Sequence, residues 1–289
     1  MMLPGLLYFF INNYIPMTGL IVAFKKYNVR DGIYNSPWNG LQNFRFLFTT
    51  GDAVTITRNT ILYNLAFIIV NTLLGIVLAI MITEIRHKLA KKVYQSVILF
   101  PFLVSIIIVS YISFAFLSAD NGLINRTILE PLGKESISWY TEKKYWPFIL
   151  TIVNTWKTAG YSSLLYIAAI TGIDDTLYEA AKIDGAGKFQ QIWRITLPSL
   201  VPTIITLALL NIGRIFHANF GLFYQVPMNS GSLFDVTNVI DTYVYRALLK
   251  IGNIGMASAA GFVQSVVGFV LVYLSNLLVR KLSPDDALF

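Results

Sequence analysis

Two cations, Lys157 and Arg214, each interrupt a long run of apolar residues in this chain of 289 residues. Ionised groups inside such runs are costly, and within membrane helices they usually face a bundle interior or a watery cavity. Their neighbours repeat at helical spacing. Asn154, Lys157 and Tyr161 fall three and four residues apart and share one helix face, while Asn211, Arg214 and His217 form a second polar stripe. At about 1.5 Å of rise per residue, Lys157 lies about 16 Å below a helix end near Trp146, and Arg214 lies about 21 Å above one near Leu200. Both fall near the middle of a bilayer, so the spacing predicts that the six residues line one polar pathway. The plainer alternative is that Lys157 snorkels and that Arg214 caps carbonyls or meets a partner subunit.

Bond-making chemistry finds no footing in the same residues. There is no cysteine, which excludes disulfides, thiolate metal sites and a cysteine nucleophile. The two histidines, His87 and His217, cannot form a His-x-x-x-His zinc pair, and no Asp or Glu lies inside an apolar run to act as acid or base. GAGKF at Gly185 to Phe189 lacks the upstream glycine and the Ser/Thr of a phosphate-binding loop. The expectation is therefore no catalytic residue, no metal and no cofactor held by this chain.

The elements that position the two cations are long and apolar. Hydrophobic residues make up 55% of the chain and charged ones 13%, about half the share usual in a soluble domain, so lipid is the expected solvent. Six stretches are long enough to span: Met1–Phe24, Asn59–Thr83, Val93–Ala119, about Tyr145–Ile173, one beginning near Ser199, and Ile251–Val279. The first lacks the basic n-region and small-residue cleavage pattern of a signal peptide, and its missing basic flank predicts a longer natural N-terminus. A net charge of +7 comes from basic residues flanking these runs, which suits anionic lipid and topology signals better than nucleic acid. The compact basic stretch Glu84 to Lys92, EIRHKLAKK, is expected on the cytoplasmic side. Alternation then puts both termini and the segment from Thr171 to Pro198 on that side. The fold class is all-α: a single polytopic bundle over residues 1–289.

The segment at about 171–198 is too polar and too long for a simple turn. Thr176 and Glu179 have capping-box spacing and predict a short helix from about Leu177 to Asp184. Gly185 and Gly187 supply a permissive turn, Lys188 to Thr196 a second short helix, and Pro198 and Pro202 its end. Glu179, Ala180, Ala181, Gly185, Ile195, Leu197 and Pro198 fill the pattern E-A-A-x-x-x-G followed after nine residues by I-x-L-P. This resembles the EAA motif of binding-protein-dependent ABC importer permeases. The resemblance implies a type I importer fold in which this loop is the coupling helix, with Glu179, Ala180, Ala181, Asp184 and Gly185 docking on an ATPase subunit. Asp175 and Thr176 stand where the family often carries proline.

The opening, LPGLLYFFINNYIPMTGLIVAFKKYN followed by SPWNGLQNF, resembles LplB-like permeases, the branch that imports complex and often acidic oligosaccharides. The implied partners are a second permease, ATP-binding cassette subunits that hold ATP and magnesium, an extracytoplasmic solute-binding protein, and a saccharide in a bacterial inner membrane. A carboxylated sugar would supply the counter-charge that Lys157 and Arg214 lack in sequence. Trp156, Tyr161 and Phe216 could stack on sugar faces. The rival classes are an ion-coupled secondary carrier, which would show membrane-embedded acids and broken helices, and a membrane receptor or scaffold without transport.

Overall fold

A computed structural model describes residues 2–45 and 51–282. Met1 and the tail beyond residue 282, to which the expected cytoplasmic termini belong, lie outside the described residues. Helices dominate. We number them α1 Leu3–Phe24, α2 Gly51–Thr83, α3 Lys88–Leu103, α4 Ile106–Leu117, α5 Trp146–Thr171, α6 Asp175–Ile183, α7 Lys188–Ile212, α8 Phe220–Gln225, α9 Ile240–Arg246 and α10 Ile254–Leu282. Among the described residues the extended pairing is limited to one isolated bridge between Lys25 and Trp38.

All six expected runs are helical, with two changes of outline. The third run is not one rod: α3 and α4 meet at a bend of 92°. Val104 and Ser105 are extended, and Ser105 begins α4 by accepting from the Ile108 N–H through its hydroxyl at 3.4 Å. The fifth run starts earlier and stops sooner than the sequence suggests. Pro198 does not end a separate short helix, because Lys188 to Ile212 is continuous. A wide π turn over Ile192–Thr196 precedes the proline, with the Leu197 N–H reaching back to the Ile192 carbonyl. Proline lacks a backbone donor, and the widened turn lets the helix carry one.

Four helices, α1, α2, α7 and α10, are long and apolar enough to cross a membrane, and the bent α3–α4 pair makes a fifth. At 26 residues α5 is also long enough, but it is more polar. It can be so because it lies inside the bundle, packed along α2 and against α3. Large apolar side chains such as Leu103, Phe148 and Phe269 are at least 70% exposed, which suits a lipid-facing surface and not water.

Two packed cores mark the two ends of the bundle. Tyr63, Phe67, Trp146, Leu150, Leu222, Phe223, Leu233 and Val239 join the start of α5 to the connection between α7 and α10. Ile76, Ala79, Ile82, Tyr166, Ile167 and Leu200 close the opposite end. Ion pairs follow the same division. Lys188 reaches Glu84 at one end, and Lys143 pairs with Asp235 at the other. The Glu84 turn and the 171–198 segment therefore share one end, and the 118–145 and 213–253 connections share the other.

Candidate functional site

The loop after α5 is built to be held from behind and open in front. Asp174, not Thr176, is the N-cap of α6, and its carboxylate accepts from the Thr176 N–H at 2.9 Å. That hydrogen bond favours the ionised form and holds the Asp174 carboxyl below its ordinary range. The capping box expected from Thr176 and Glu179 is thus displaced by a carboxylate two residues upstream, the stronger acceptor at a helix N-terminus. At the other end the Ala186 N–H reaches the Ala181 carbonyl at 2.8 Å, and the Gly185 N–H reaches Lys182 at 3.1 Å. This is a Schellman ending, and it needs its left-handed residue: Gly185 has φ +78°.

Behind the loop, the Tyr178 hydroxyl meets that of Thr196 at 2.9 Å, Gln191 donates to the Ala186 carbonyl, and Lys188 pairs with Glu84 at 2.6 Å. A polar cavity of about 250 Å³ lies between these contacts and the ends of α2 and α5. In front, Glu179, Ala180, Asp184 and Gly185 are exposed and Ala181 is half-buried. Ile183 is 87% exposed, and Leu177, Phe189 and Trp193 are exposed beside it. The loop thus presents exposed apolar and charged side chains together at this end of the bundle.

The two predicted polar stripes have different fates. On α5, Asn154 is buried, Tyr161 is exposed, and the Lys157 ammonium is already engaged. It donates to the carbonyls of Phe102 at 3.0 Å, Pro101 at 3.3 Å and Val104, so it sits on the end of α3 at the bend. Tyr161 stacks on Phe102 with ring centroids 4.6 Å apart. Close packing at this level needs Gly160, where an added Cβ would lie 1.8 Å from the Ile98 carbonyl oxygen.

The second stripe does not exist as a helix face. α7 ends at Ile212, so Arg214 lies in a turn and His217 in an irregular stretch beyond it. This irregular backbone is covered by protein on one side. Asn64 of α2 donates to the carbonyl of Ile215 at 2.8 Å, Gln264 of α10 donates to that of Phe216 at 2.7 Å, and Asp241 of α9 accepts the Ala218 N–H at 2.7 Å. Asn211, Arg214 and His217 remain exposed.

Asn64, Gln264 and Asp241 are the residues that the sequence reading missed. A scan for charges inside apolar runs passes over amides, and Asn64 and Gln264 were visible only as uncharged polar residues in such runs. Asp241 lies 24 residues beyond His217 in the chain, on α9. Its carboxyl is raised from the ordinary range, chiefly by burial. The carboxyl group that the apolar runs lack thus comes from the connection between α7 and α10.

A helical membrane bundle with a structured charged loop at one end, an internally broken span and an unwound, partly exposed segment after α7 has the architecture of a transporter's membrane component. The chain belongs to the family described as binding-protein-dependent transport system inner membrane component, which residues 71–284 match. It is 37% identical over 285 residues to the polygalacturonan/rhamnogalacturonan transport system permease protein YteP of Bacillus subtilis, covering 99% of this chain and 88% of that one. Protein LplB of the same organism is 35% identical, with 99% and 89% covered. Among solved structures, a bacterial ABC transporter involved in the import of the acidic polysaccharide alginate matches with TM-score 0.87 and 33% identity, over 97% of this chain and 94% of that one. The alginate transporter has also been solved with an alginate pentasaccharide-bound periplasmic protein, and that structure matches with TM-score 0.86. The chain is accordingly an ABC importer permease, as its EAA segment and its opening residues imply.

Proposed function

We propose that this chain is one half of the membrane pathway of an ATP-driven importer for acidic, uronate-containing oligosaccharides in the bacterial cytoplasmic membrane. The single observation that carries the acidic cargo is Arg214, an exposed cation on the unwound backbone that follows α7, with no carboxylate paired to it among the described residues. Arginine binds carboxylates through a fixed fork of donors, and a site of low dielectric strengthens the pairing. Asn211 and His217 flank it as hydrogen-bonding groups, and Tyr161 offers an exposed aromatic face. Asn154 and Lys157 belong to the packed wall of the same pathway. The names of the similar transporters, for polygalacturonan, rhamnogalacturonan and alginate, agree in the acidic character of their cargo.

The chain performs no bond chemistry in this scheme and holds no cofactor. ATP and magnesium belong to a pair of cassette subunits, which dock against Glu179, Ala180, Ala181, Asp184 and Gly185. A second permease completes the pathway, and an extracytoplasmic binding protein delivers the saccharide. Closure of the cassettes moves α6; Tyr178 passes that movement to Thr196 in α7, and Lys188 at the start of α7 passes it to Glu84 at the end of α2. The test is ATP-dependent uptake by the complex in vesicles, offered oligogalacturonides and neutral oligosaccharides of equal length. Uptake of the acidic series is expected, and uptake confined to the neutral one would overturn the cargo assignment.

A further inference from the structure

Where a helix stops inside a membrane, its last carbonyls have no intrahelical donor and no bulk water to replace one. Broken helices of ion-coupled carriers meet this need with a bound cation. The break between α3 and α4 presents the same kind of oxygen cluster, from Phe102, Val104 and Pro101, the last also accepting the Val104 N–H at 3.3 Å, and the point on which the oxygens converge is occupied by Lys157 Nζ. An ammonium has three N–H donors and no acceptor. Three carbonyls take all three. The Phe102 ring, with its centroid 5.9 Å from Nζ, adds a weaker attraction from the same segment. Among the described residues no carboxylate forms an ion pair with this lysine.

We propose that Lys157 is a tethered cation that completes a carbonyl site at the break in the third span, and that transport depends on its charge holding the bend and not on its touching the cargo. Lys157 is then a positioning residue, acting through the angle between α3 and α4. A chain that carries its own cation at a helix break has no need of a dissociable one there. Removal of the side chain beyond Cβ leaves a slot of the length and polarity of n-propylammonium, because that ion replaces the atoms from Cγ to Nζ.

The experiment uses the purified complex with Lys157→Ala and Lys157→Met, read by thermal unfolding and by uptake in vesicles. Charged hydrogen bonds of this kind are strong enough that Lys157→Ala should lose about tenfold or more in uptake and unfold at lower temperature. Added n-propylammonium should restore both readings in Lys157→Ala, n-propanol should restore neither, and Lys157→Met, whose chain fills the slot, should respond to neither. Wild-type behaviour of Lys157→Met, or a Lys157→Ala defect untouched by n-propylammonium, would overturn the proposal. Should Lys157→Ala not accumulate, Lys157→Arg and Lys157→Met are compared for assembly. Assembly of the arginine variant alone supports the proposal, and equal behaviour of the two overturns it. The uptake reading rests on the saccharide reading of the chain, whereas the unfolding reading does not. A wild-type complex that moves no oligosaccharide would fail the former and leave the latter standing.

Discussion

Lys188 and Glu84, 104 residues apart, meet at 2.6 Å and fasten the start of α7 to the end of α2 directly behind the Gly185 turn. Both side chains are about half exposed, so the pair contributes little to stability, about 1 kcal/mol or less. Its value is geometric: it fixes where Gly185 and α6 stand relative to the bundle. Lys188→Glu is therefore expected to reduce uptake several-fold while moving the unfolding temperature little. The double exchange Glu84→Lys with Lys188→Glu should recover most of the loss. Failure of the exchange to recover activity would separate the pair from coupling.

Gly185→Leu tests the turn itself. A leucine at φ +78° costs about 1–2 kcal/mol in the left-handed region, and no neighbour lies within 4 Å to clash with its Cβ. The expected outcome is an assembled complex whose uptake and substrate-stimulated ATP hydrolysis both fall. The affinity of the binding protein for its saccharide should stay as it was. Normal stimulation of hydrolysis would remove Gly185 from the coupling path.

The sequence discloses the helices by their lack of charge and the short helix with its glycine turn by the motif, and that helix and turn stand at Glu179 and Gly185. It does not disclose where helices stop. Ile212, Gly213 and Arg214 read as a continuing helix because nothing local forbids one. The end is set by tertiary hydrogen bonds from Asn64, Gln264 and Asp241, which lie far away in the chain. The bend at Val104 is similar, since the lysine that satisfies its carbonyls comes from a helix more than fifty residues later. In Asp174 a local choice between two possible caps also went to the residue that the motif does not include.

Tyr140 offers a test of the packing on the end opposite Gly185. Its hydroxyl is buried without a hydrogen-bond partner among the described residues, its ring packs on Trp146 with centroids 5.2 Å apart, and burial pushes its ionisation up to about 12. Leaving a buried hydroxyl unpaired costs about 1–3 kcal/mol. Tyr140→Phe is therefore expected to leave the unfolding temperature unchanged or raise it, whereas Tyr140→Ala should lower it by emptying the core around Trp146. A clear loss of stability in Tyr140→Phe would mean that the hydroxyl has a partner in the assembled complex.

Sidedness is open to direct chemical test because the chain has no cysteine. Lys182→Cys on α6 and Lys134→Cys in the connection before α5 lie on loops assigned to opposite ends of the bundle. In intact cells an impermeant thiol reagent should label the second and spare the first, and in inverted vesicles the order should reverse. Labelling of Lys182→Cys from outside would invert the orientation and with it the docking assignment.

Arg214→Gln bears on the cargo. The substitution keeps much of the length and some hydrogen-bonding capacity, and it removes the charge and the planar fork. Arg214 is exposed and lies on a segment already pinned by Asn64, Gln264 and Asp241, so the fold does not depend on its side chain. The loss should therefore appear in transport and not in assembly. A charge-assisted hydrogen bond in a partly desolvated site contributes about 1.5–3 kcal/mol, which corresponds to a loss of about tenfold to a hundredfold in uptake of a uronate oligosaccharide. A neutral oligosaccharide of the same length makes no such bond and should be affected severalfold less. Lys157→Met in the same assay provides the contrast, because a residue that holds the bend should harm both cargoes alike. Equal losses for the two sugars in Arg214→Gln, normalised to assembled complex, would move Arg214 from the pathway to the structure and leave the acidic cargo without its electrostatic basis.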